Sequence, residues 1–162
     1  MARRLRPVEL DFLDSAPVRL VFTTTMRARP AAVYQALAED VTAWGTWFPA
    51  VSWARPTHGG AGREIKLRAG VRFGETILAA DPAERYAYRV DTTNAPGVTA
   101  LLEEWRIDPG GDGSRVRWVF ATDGPPPVRR VLRLLRPGLG RSFRSATRNL
   151  DRRLGPPRRP GG

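Results

Sequence analysis

The stretch P-A-A-V-Y-Q-A-L-A-E-D-V-T-A-W-G-T-W-F-P-A-V, Pro30 to Val51, places a short helix and three large aromatics directly behind one isolated strand. Pro30 suits the first helical turn, where its missing N–H is not needed, and Pro30, Val33, Tyr34 and Leu37 then share one face. Asp40 is placed to cap a second short helix that carries Val41, Trp44 and Phe48, and Pro49 stops it. Upstream, Leu20, Phe22 and Thr24 alternate with Arg19, Val21 and Thr23, which predicts a strand over Val18 to Thr25.

Downstream, strand-like runs fall near Val51 to Arg55, Arg63 to Arg68, Val71 to Ala80, Arg85 to Asp91, Val98 to Ile107 and Arg115 to Thr122. The separators are turn chemistry, such as His58-Gly59-Gly60, Asn94-Ala95-Pro96-Gly97 and Gly110-Gly111-Asp112-Gly113. Seven strands at this spacing predict one meandering antiparallel sheet. From Pro127 the period becomes helical, with Val128, Val131, Leu132, Leu135, Leu139, Phe143, Ala146, Leu150 and Leu154 as the apolar stripe. Pro137-Gly138 and Gly140 predict a kink in it.

This order of elements and the phrase W-x-x-W-F-P-x-V, Trp44 to Val51, resemble the SRPBCC (START/Bet v 1-like) superfamily, within it the polyketide cyclase/dehydratase-like and lipid-transport-like members. The resemblance covers roughly residues 17 to 154. It implies an α+β helix-grip fold, in which a curved antiparallel sheet of about seven strands holds a long C-terminal helix across its concave face. Two short helices after the first strand close one end, and a cavity lies between sheet and helix. Residues 1–16 are then an N-terminal arm, 17–154 the ligand-binding domain and 155–162 a disordered basic tail.

Parity along the strands picks out the inward residues: Tyr86, Tyr88 and Val90; Leu101, Glu103, Trp105 and Ile107; Val116, Trp118 and Phe120. If Phe73 and Ile77 face inward, so does Glu75. Expected to line the cavity are Glu75, Tyr86, Tyr88, Leu101, Glu103, Trp105, Trp118 and Phe120. An inward carboxylate needs a partner, and an isolated one has a raised pKa suited to acid–base work. The alternative places these Glu at the rim, paired with surface Arg72, Arg89 or Arg117. Neighbouring Glu103 and Glu104 point to opposite faces, so they make no carboxylate dyad.

The net charge of +11 is unevenly spread. Residues 7–127 hold 13 basic and 15 acidic side chains, whereas residues 128–162 hold 11 Arg and one Asp. The Arg-rich helix reads as a solvated face or as a contact for an anionic membrane. Nucleic acid is disfavoured because the near-neutral body offers no broad basic face and no base-reading module. His58 sits in a turn, there is no cysteine, and the glycine cluster at 110–113 lacks the phosphate-loop pattern, so neither a metal nor a cofactor is expected. The absence of cysteine, of a long apolar run and of a signal-like h-region predicts a cytoplasmic protein.

Three functions compete, one of them an interaction protein that docks on an anionic membrane or a partner through its Arg-rich C-terminal helix, and the other two using the cavity. Of those two, the first is binding of a hydrophobic or aromatic small molecule; the second, implied by the resemblance, is polyketide aromatase/cyclase-like aldol cyclisation and dehydration. A hollow of several hundred cubic ångströms would support both, and a filled core neither.

Overall fold

A computed structural model describes residues 1–156. The elements run β1 (Arg3–Arg4), α1 (Phe12–Ser15), β2 (Val18–Met26), α2 (Pro30–Tyr34), α3 (Trp44–Trp47), β3 (Val51–Thr57), β4 (Gly62–Leu67), β5 (Arg72–Asp81), β6 (Arg85–Thr93), β7 (Ala100–Gly110) and β8 (Gly113–Asp123), then α4 (Pro126–Leu134) and α5 (Arg136–Leu154). The sheet is antiparallel throughout in the order β2-β8-β7-β6-β5-β4-β3, with β1 pairing to β6 as an eighth strand. This is the helix-grip architecture that the sequence predicts.

Pro30 begins α2, and the chain then widens into a π turn over Gln35–Glu39 before a 3-10 turn leads into α3. Asp40 makes no side-chain capping bond, contrary to expectation. Entry to α3 is secured instead by the buried Trp44 indole, which donates to the Leu37 carbonyl at 3.0 Å. Trp44, Trp47 and Phe48 are all buried, and Trp44 meets Trp105 edge-on. These rings plug the end of the sheet onto its concave face.

The C-terminal helix breaks at Leu135 into α4 and α5. Phe143, Ala146 and Leu150 of α5 are buried, and Phe143 packs at 5.8 Å from Trp105 and 6.0 Å from Trp118. Asp151 fixes the far end of α5 by accepting from the backbone N–H groups of Arg27 and Ala28. The expected stripe fails near the break: Val131 and Leu135 face solvent, as does Leu134. Leu132, Leu139, Phe143, Ala146 and Leu150 keep helical spacing through the break, and Val131 and Leu135 are the members of the stripe that the sheet leaves uncovered.

The N-terminal arm is built into the fold. Its Val8, Phe12 and Leu13 bury against Ala100, Leu102, Val119 and Ala121 on the convex face. Strands β7 and β8 are therefore covered on both faces. Of the expected tail, residues 157–162 lie outside the described residues. No described helix is long and apolar enough to cross a membrane.

Candidate functional site

Strand register assembles the polar end of the site. On β4, Arg63, Ile65 and Leu67 share the inward parity, and Arg63 sits directly opposite Glu75 of β5. On β6, Tyr88 sits opposite Glu103 of β7. Four adjacent strands thus contribute one inward polar residue each. Arg63 and Glu75 form a fully buried ion pair through Nε. The Tyr88 hydroxyl donates to Glu103 at 2.5 Å and accepts from Trp105 Nε1 at 3.0 Å. The Arg63 guanidinium carbon lies 3.8 Å from the Tyr88 ring centre and 4.2 Å from that of Trp44.

Burial dominates the electrostatics here. It raises the Glu75 carboxyl to about 7, although Arg63 pulls it down. Burial also raises Glu103, against the bond from Tyr88, the nearby charge of Arg63 and the Trp118 indole N–H. The Tyr88 phenol is pushed well up, first by burial and then by Glu103, so it stays protonated as a donor. Burial works against the charge of Arg63, but Glu75, Tyr88 and Tyr86 outweigh it and the guanidinium remains charged.

These residues end a cavity of about 180 Å³ between the sheet and α5. Its apolar wall includes Phe48, Ile65, Leu67, Phe73, Trp118, Phe120 and Leu139. Five of the eight expected residues line it: Glu75, Tyr88, Glu103, Trp118 and Phe120. The other three point inward but pack elsewhere. Trp105 stacks on Trp118 at 5.5 Å behind the wall. Tyr86 borders a separate depression beside Tyr34 and Ile77, and Leu101 belongs to the core around Leu5, Leu20 and Leu132.

The rim alternative does not hold for either carboxylate. Arg89 instead bonds Asp91 and Glu9, and Glu104, on the opposite face from Glu103, lies 3.7 Å from Arg85. Sequence reasoning missed Arg63. The available signal was the alternation Arg63, Ile65, Leu67, which puts the arginine on the face of two apolar neighbours. His58 remains in an exposed turn.

Residues 17–155 match the family described as polyketide cyclase / dehydrase and lipid transport. Uncharacterized proteins of Mycobacterium tuberculosis and Mycobacterium bovis are 31% identical over 150 residues, 90% of this chain and 89% of theirs. Among solved structures, XoxI from Bacillus cereus aligns with TM-score 0.69 at 16% identity, over 85% of this chain and 95% of its own. A START superfamily protein from Mycobacterium smegmatis aligns with TM-score 0.66 at 11% identity, over 84% and 96%. At these identities the structural likeness speaks for a START-like fold, and the family match leads to one conclusion: the chain belongs to the polyketide cyclase/dehydrase and lipid-transport family.

Proposed function

We propose that this protein binds a compact hydrophobic or aromatic small molecule in the cavity between the sheet and α5. The observation that carries this reading is a hollow walled by aromatic and aliphatic side chains with one polar end, the usual make-up of a small-molecule site. Its volume of about 180 Å³ is smaller than the several hundred expected of a general ligand site. That size favours a single-ring ligand over an extended poly-β-keto chain, and therefore favours binding over polyketide cyclisation. Titration with single-ring aromatics, followed by the fluorescence of Trp44 and Trp118, tests it. Saturable binding that Ala50→Phe abolishes without lowering the melting temperature is the expected result. No saturable binding, or binding indifferent to a filled cavity, would overturn it.

The exposed leucines support a second reading, docking on an anionic membrane. Val131, Leu134 and Leu135 are 55%, 79% and 48% exposed, and residues 128–154 carry nine Arg against one Asp. Apolar side chains ringed by arginine suit the boundary between anionic headgroups and acyl chains. Co-sedimentation with phosphatidylglycerol vesicles, absent with phosphatidylcholine and reduced by Leu134→Asp with Leu135→Asp, is the expected outcome. Equal partitioning of the parent and this variant would refute it.

A further inference from the structure

An arginine side chain offers five N–H donors and no acceptor. In Arg63 only Nε is engaged, by Glu75, while Nη1 and Nη2 are buried without a hydrogen-bond partner. The rings of Trp44 and Tyr88 attract its charge but supply no lone pair to an N–H. The acceptors nearby take their bonds elsewhere, Glu75 from Arg63 Nε, Glu103 from Tyr88 and the Tyr88 oxygen from Trp105, and Tyr86 lies beside the guanidinium without completing a hydrogen bond to either Nη. What the two Nη groups of Arg63 lack is therefore an acceptor within hydrogen-bond geometry. A buried donor left unmade is costly, so a ligand that brings an oxygen there removes a standing penalty.

Charge then selects among oxygens. Arg63 and Glu75 cancel each other, and burial favours the neutral form of Glu103. A carboxylate or phosphate would add an uncompensated charge to an apolar cavity. A neutral carbonyl adds two lone pairs and no charge. Size selects further, because about 180 Å³ is close to the roughly 150 Å³ of an apolar cavity that holds benzene. From these constraints we infer that the cavity takes a neutral single-ring ketone, its ring against Phe48, Trp118 and Phe120 and its oxygen accepting from the free Nη groups of Arg63. This inference rests on the cavity being a ligand site.

Acetophenone and ethylbenzene share a ring and differ in the oxygen, and benzoate adds the charge. Calorimetric titration at pH 8 is expected to give acetophenone an affinity at least about tenfold above ethylbenzene, the worth of one hydrogen bond to a charged donor. Benzoate binds no tighter than ethylbenzene. Arg63→Met combined with Glu75→Gln removes both charges together, and it erases the preference for the ketone while ethylbenzene still binds. A readout on the unaltered protein guards against misfolding of that variant: the carbonyl stretch of bound acetophenone moves to lower wavenumber than in water. Equal affinities for acetophenone and ethylbenzene, tighter benzoate, or a carbonyl stretch as in hexane would overturn the ketone assignment and leave an apolar site standing. Failure of all three compounds to bind would overturn both the assignment and the site.

Discussion

Replacing Glu75 by Gln asks which of two opposing effects wins in the buried pair with Arg63. Burial pushes the Glu75 carboxyl up and Arg63 pulls it down, and the balance leaves it at about 7 against 4.5 for the free side chain. At about 1.36 kcal/mol per pH unit, that difference is worth about 3 kcal/mol. The native state holds this proton more tightly than the unfolded chain, so the group's contribution to stability is fully present below about pH 4.5. It is lost as the pH rises through about 7. Gln imitates the protonated acid at every pH. Glu75→Gln is therefore expected to match the parent near pH 4.5 and to be more stable than it by about 3 kcal/mol at pH 8. Urea unfolding followed by tryptophan fluorescence at several pH values measures this, and Glu103 and the other carboxylates cancel because both proteins carry them. A variant less stable at pH 8 by about 3 to 5 kcal/mol would refute the reasoning, since that is the cost expected if attraction to Arg63 exceeded desolvation.

Trp47→Ala should cost about 3 to 5 kcal/mol, because the indole is 2% exposed in the plug between α3 and the sheet; a thermal melt tests this. Phe12→Ala should cost a similar amount, about 3 to 5 kcal/mol, although it lies in the arm outside the family match; an unchanged melting temperature would mean that the convex face needs no cover. Gly113→Ala should destabilise the β7–β8 hairpin, because an added Cβ would stand 2.0 Å from the Met26 carbonyl oxygen. Gly138→Ala, where nothing lies within 4 Å, is its control and should leave the melt unchanged. Glu103→Gln should keep the fold, since the amide oxygen still accepts from Tyr88, while changing the affinity for any ligand that reaches this end of the cavity.

Much of this architecture was legible because strand parity and helical period are strict. Glu103 was placed inward by Trp105 and Ile107, and the structure has no bulge between β7 and β8 to reverse that parity. The register shifts lie elsewhere, between β3 and β4 and twice between β5 and β6, once beside Glu75. The partner of Glu75 was not legible, because pairing across β4 and β5 depends on register, which a single strand does not encode. Position in sequence pointed to Arg72, Arg89 and Arg117, whereas register selected Arg63. The covered convex face had a visible trace in the apolar residues Ala100, Leu102, Val119 and Ala121 that alternate with the inward set. Strands apolar on both faces must be covered twice, and the arm supplies the second cover. The cavity volume had no sequence signal, since the same aromatics can fill a space or wall it.

The pairing of β2 with β8 sets a timetable for the growing chain. Val18 faces Thr122, and β2 has no other neighbour in the sheet. During synthesis the strand must wait about a hundred residues for its partner, and α5, which closes the aromatic core, arrives later still. Loop closure over such separations comes before the contacts that reward it, so folding belongs to the slow, millisecond-to-second regime of non-local topologies. Through that interval β2 is an unpaired apolar edge behind the ribosome, the segment on which a holdase chaperone or a neighbouring nascent chain would first act.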